Sequence, residues 1–201
     1  MGFLLLQYEY QRASREVSIH HRAGMRLDNQ VDRYTKRIEN MQSVFQKAQD
    51  RLTKNFTNLS RDASAVISQA TNAAASSANV AAFNATLMGI VIGGVRLGQF
   101  VQASTTSTDP KEILTILSNV GAQAKSILAS LIEDAKEADL MRLQNQQDEQ
   151  LDPIAEKESD LQAKQNLENT LCDVWTTRRD NAKQRLGQDI KESMAGYGLN
   201  G

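Results

Sequence analysis

Residues Val31 to Leu59 read VDRYTKRIENMQSVFQKAQDRLTKNFTNL, and the spacing of their apolar side chains decides the fold class. Val31, Ile38, Phe45, Leu52 and Leu59 recur every seven residues, with Tyr34, Met41 and Ala48 interleaved. Alternating steps of three and four place all of them on one face of a helix, the pattern of a coiled-coil seam. These five residues are the candidate intramolecular seam.

Towards the N-terminus the same track continues through Phe3, Tyr10, Val17 and Gly24, interleaved with Leu6, Ala13, His20 and Leu27. Only His20 and Gly24 interrupt it. A seam glycine costs stability without forcing a break, so one helix or two remains open at Gly24. Beyond Leu52 the interleaved track turns polar at Asn55 and Asp62, while Phe56, Ala63, Ile67, Ala70 and Ala74 take over. The apolar stripe thereby rotates around the helix, as at a stutter. A single helix over residues 3–78 would be ~114 Å long at ~1.5 Å per residue. A compact domain of this length has a radius of gyration of only ~16–17 Å, so the expectation is a rod.

From Ala63 to Val95 no residue is charged. The most apolar part, Leu87 to Val95, contains Gly89 with Gly93, and Gly94 pairs likewise with Gly98. Small residues at this spacing let helices approach closely. The expectation is an uncharged helical hairpin over 80–135, with Gly89, Ile92, Gly93 and Phe100 as the self-assembly contacts. Membrane insertion is the competing reading. It is weakened because the apolar run is shorter than the ~20 residues that span a bilayer, and because Asn79, Asn84 and Arg96 interrupt it. A thin bundle has little interior of its own, so burial between subunits is preferred over burial within one.

Ser104 to Thr108 reads as a loop. Asp109-Pro110-Lys111-Glu112 then predicts a helix start, with a cap residue, a proline in the first turn and a glutamate three after the cap. Asp152-Pro153 predicts a second start. It leads into an arm carrying Leu161, Leu167, Leu171, Val174, Trp175, Ala182, Leu186, Ile190 and Met194. Gly196 and Gly198 end this arm, leaving Tyr197 and Leu199 as a short apolar tail.

The 201 residues hold 23 basic and 24 acidic side chains, with a pI near 6.1. No nucleic-acid partner is expected, since such binders show a basic excess. Cys172 is the one cysteine and forms no internal disulfide. Charge is uneven: residues 1–62 carry a net +4 and residues 133–201 a net −6. Arms of opposite sign suit each other when folded back. The predicted fold class is therefore all-α, a long antiparallel coiled-coil rod with a central uncharged helical hairpin. Its parts are an N-terminal arm (1–79), the hairpin (80–135) and a C-terminal arm (136–201).

Catalytic signals are absent. Glu16 and His20 share a helix face, but two ligands on one helix do not make a metal site. A polar seam residue that sets register is the simpler reading of His20. Cys172 has no histidine in its half of the chain to activate it. No phosphate-binding glycine loop, paired-cysteine spacing or nucleophile elbow occurs. No enzyme activity, cofactor or metal is expected. The start of the chain lacks the basic and long apolar regions of a cleavable signal peptide. Gly2 is a poor myristoylation site, because Leu6 stands where serine or threonine is needed. Without a signal peptide the sequons at Asn55, Asn58 and Asn84 mean little.

The Phe3 to Leu59 seam, the Leu161 to Met194 arm and the missing signal peptide together resemble subunits of helical surface filaments exported by flagellar and type III secretion machinery. The resemblance covers most of the chain at the level of pattern, and the Arg-Ile-Asn-Ser motif of flagellins is absent. It implies a structural protein that polymerises with itself, contacts an export machinery, and reaches the cell surface or exterior. A membrane-active translocator or helical pore-former, and a cytoplasmic coiled-coil scaffold, are the alternatives.

Overall fold

Two helices account for most of the chain in the computed structural model, which describes residues Gly2 to Gly196. Helix α1 spans Gly2–Ser77, helix α2 Val80–Gly89 and helix α3 Pro110–Gly196. Between α2 and α3 lie strands β1 (Val91–Ile92) and β2 (Val95–Arg96), and a short 3-10 turn at Leu97–Gln99. The fold is all-α. The expected apolar tail, Tyr197 and Leu199, lies outside the described residues.

No proline interrupts α1, and the helix passes through Gly24 without a break. Gly24 is buried, and a Cβ there would meet the Asn169 side-chain oxygen at 3.0 Å. The glycine lets a second helix approach. Helix α1 stops at Ala78, whose φ of 49° turns the chain left-handed. The Asn79 N–H then donates to the Ala74 carbonyl at 3.1 Å, the bond pattern of a Schellman cap. Asn79 also starts α2, its side chain accepting from the Ala82 N–H at 2.9 Å.

The expected start of α3 is found: Asp109 Oδ1 accepts from the Lys111 N–H at 2.9 Å, and Pro110 is the first helical residue. The expected restart at Asp152-Pro153 is not, because α3 runs through Pro153 unbroken. Proline deprives the Glu149 carbonyl of its helical donor. Ile154, packed and buried next to it, keeps the helix continuous.

The chain divides into two compact units. Unit 1 comprises Met1–Met41 with Glu149–Gly201, and unit 2 Gln42–Asp148. Within unit 1, Val17 meets Cys172, His20 meets Glu168, Asp28 meets Gln165 and Thr35 meets Glu158. Numbers rise along one helix as they fall along the other, so the two segments are antiparallel. The seam is thin, and Ala13, Ile154 and Ala182 are its buried apolar residues.

Unit 2 has a true core. Ile67 from α1, Phe83 and Leu87 from α2, Leu97 from the 3-10 turn, and Leu117 and Leu128 from α3 are almost fully enclosed. At Gly121 the helices come close enough that a Cβ would lie 2.7 Å from the Thr71 hydroxyl.

The central segment departs from the expected helical hairpin. Helix α2 ends at Gly89, and Val91 pairs with Arg96 and Ile92 with Val95 in an antiparallel β-hairpin. Gly93 and Gly94 form its two-residue turn, with φ of 59° and 85°. Two consecutive positive φ values define the type I′ turn that matches strand twist, and glycine adopts them without steric cost. The Asn84 side-chain amide then clamps the following loop, donating to the Ala103 carbonyl and accepting from its N–H, both at 2.8 Å.

Candidate interaction surfaces

The seam residues of the N-terminal arm fall in both units. Val31 and Ile38 are half-buried in unit 1; Phe45 is buried and Leu52 half-buried in unit 2. Leu59 does not belong to the seam. It is 40% exposed, while Phe56, Ala63 and Ile67 turn inward around it. The stripe has rotated by this point, as the polar residues Asn55 and Asp62 required.

The self-assembly residues separate in the same way. Ile92 is 4% exposed and belongs to the core of its own unit, so it offers no contact to another subunit. Gly89 is exposed at the end of α2, and Gly93 sits in the hairpin turn. They share no helix face, and their spacing is not a helix-packing motif. Phe100, by contrast, is 57% exposed. In the same unit Val91 is 51% exposed, and Met88 and Leu114 also keep substantial apolar surface. Intramolecular burial consumes much of the uncharged segment because α2 and the hairpin add a layer over α1 and α3. What remains outside is an apolar edge on which Arg96, the cross-strand partner of Val91, is the exposed charge.

Unit 1 presents polar chemistry instead. His20 Nδ1 lies 2.7 Å from Glu168 Oε2, the geometry of an imidazole N–H donating to a carboxylate. Glu16 stands 3.9 Å from the other ring nitrogen. Among the described residues no group of three or more metal-ligating side chains converges. The half-buried Cys172 thiol reaches toward the Val17 carbonyl at 3.9 Å.

A groove of about 380 Å³ lies between the helices nearer the chain ends, lined by Glu9, Arg12, Trp175, Arg178 and Arg185. Arg178 stacks over the Trp175 ring at 4.8 Å from its centroid, and Arg12 at 5.8 Å. Such stacking holds a guanidinium in place while its edge N–H groups stay free for carboxylates. The missed signal was Trp175 three positions before Arg178, since residues three or four apart on a helix are neighbours.

Among the described residues the opposite charge of the two arms yields hardly any ion pairing between them. Among the described residues, His20 with Glu168 is the one such pair linking α1 to α3. Elsewhere the seam is joined by neutral–charged contacts, such as Gln165 with Asp28 at 2.9 Å. Most of the charge faces outward. No helix among the described residues is long and apolar enough to cross a membrane. No protein-family model matches the chain, and no curated protein or solved structure is significantly similar to it.

Proposed function

We propose that the chain is a structural protein whose copies assemble with one another into a filament or tube. On this reading the antiparallel seam of the two arms acts as a coiled coil, and the apolar edge of unit 2 packs between subunits. One observation carries the proposal: Val91 and Phe100 stay half-exposed on a segment with Arg96 as its single charge, whose inward residues already fill the core of their own unit. Burying a large apolar side chain contributes about 1.5–3 kcal/mol, so covering this edge with another copy favours association.

Negative-stain electron microscopy of the full chain near neutral pH tests the proposal. Uniform filaments or tubes are expected. They should disappear in a Val91→Lys/Phe100→Lys variant whose circular dichroism remains that of the parent. Undiminished polymers in that variant would move the contact elsewhere. Discrete particles from the parent chain would overturn the filament reading. The same apolar edge also suits contact with a bilayer surface. Dye release from liposomes between pH 5 and 7.5, in a chain that forms no polymer, would establish that second reading instead.

A further inference from the structure

Helix α3 carries a second, unrelated pattern on its exposed side. Glu149, Asp152, Glu156 and Asp160 are all exposed, and at 3.6 residues per turn they fall within about 80° of arc. The seam residues Leu151, Ile154, Glu158 and Leu161 occupy the opposite side of the helix. Steps of three and four carry the acidic stripe onward through Leu167 and Val174 to Arg178 and Arg185. Leu167 is 58% exposed and Val174 43%. Lys164 stands between Asp160 and Leu167, so the line passes from mainly acidic through apolar to basic.

These charges are not paired among the described residues. Among the described residues, neither the four carboxylates nor Arg178 and Arg185 have an ion-pair partner. Arg178 is nevertheless held in place by stacking on Trp175, which lowers the cost of ordering it against a carboxylate.

We propose that this stripe is a twofold interface, on which a second copy of the chain lies antiparallel to the first. The charge pattern selects the partner and its direction. Antiparallel, the acidic segment of each copy faces the arginines of the other, so both charged ends are satisfied at once. Asp152 and Asp160 are eight positions apart and Arg178 and Arg185 seven, so both pairs fit one register to within about 1.5 Å of helix rise. The twofold axis then falls near residue 169, and Leu167 of each copy is covered beside it. In parallel register like charges would meet. A staggered parallel contact would leave one acidic and one basic segment of each pair unmatched. An isologous contact of this kind closes at two copies. It uses a surface separate from the apolar edge of unit 2 and stands whether or not that edge forms polymers.

Sedimentation equilibrium on the full chain tests the interface, with Val91→Lys/Phe100→Lys present to silence the other surface. A dimer that loosens as salt is raised is expected, because exposed charge pairs are screened. Arg178→Glu/Arg185→Glu places glutamates opposite the partner copy's acidic segment, and Asp152→Arg/Asp160→Arg places arginines opposite its arginines. Each should weaken self-association at least about tenfold, since like charges placed face to face repel. Mixed in equal amounts, the two variants should form a one-to-one heterodimer, and the quadruple variant should dimerise with itself. Unchanged circular dichroism in all of them keeps folding out of the result. A monomeric parent, an undiminished dimer in either double variant, or a mixture that stays monomeric would overturn the proposal.

Discussion

Units 1 and 2 are built from the same two helices, yet they bury side chains differently. In unit 2 the addition of α2 and the hairpin encloses Ile67, Leu87, Leu97 and Leu117 completely. In unit 1 two helices face each other alone. Small residues such as Ala13, Gly24 and Ala182 are enclosed there, while Trp175 and Leu161 stay half-buried. A pair of helices has one line of contact, and most side chains larger than alanine on that line stay open to solvent at a flank, Ile154 being the buried exception. A third layer removes one flank. Unit 1 accordingly fills its seam with polar partners, His20 with Glu168 and Thr35 with Glu158, which tolerate partial hydration.

The comparison predicts an uneven stability along both helices. Leu87→Ala should have the largest effect, a loss of about 3–5 kcal/mol, the range for a fully enclosed leucine. Urea denaturation measures it. Hydrogen exchange on the parent should show slower amide exchange in residues 63–74 and 113–132 than in unit 1, because opening free energies follow local burial. Equal protection in both units would break the comparison.

Pro153→Ala acts in the other direction and in the other unit. It restores a helical donor to the Glu149 carbonyl and should stabilise unit 1 by about 2–3 kcal/mol. Slower hydrogen exchange around residues 149–157 would report it. A neutral result would mean that α3 bends at the proline to recover the interaction. Glu168→Ala comes next, removing the partner of His20 across the seam. A loss of about 1 kcal/mol is expected for a half-exposed hydrogen bond, read as a lower urea midpoint. Ala78→Gly is the smallest, a gain of about 0.5–1 kcal/mol, because glycine takes the left-handed turn at the end of α1 without the Cβ clash. A shift in melting temperature of a few degrees would register it.

Much of this was legible in residues 31–59 and their surroundings. The three-and-four spacing from Phe3 onward set the helix and its inward face, the polar Asn55 and Asp62 marked where that face rotates, and Asp109-Pro110 fixed the start of α3. The Gly93-Gly94 turn was legible too, as a glycine pair flanked by Ile90, Val91, Ile92 and Val95, but glycines four apart were read as a helix-packing motif instead. A glycine pair between β-branched residues is a strand-turn signal, and the low charge of the segment obscured it. Pro153 was read as a boundary, since local propensity knows nothing of the packing at Ile154 that carries the helix through.

The sequence by itself determined the helical class and the position of the uncharged segment, because periodicity and charge are properties of neighbours along the chain. Only the tertiary structure decided which uncharged residues face inward, Ile92 but not Phe100, and that the charges of the two arms pass each other almost without pairing. The first outcome depends on the folding back of α2 and the hairpin over the long helices of unit 2. Residues far apart in the chain meet there, and their burial is set by the shape of the layer they complete.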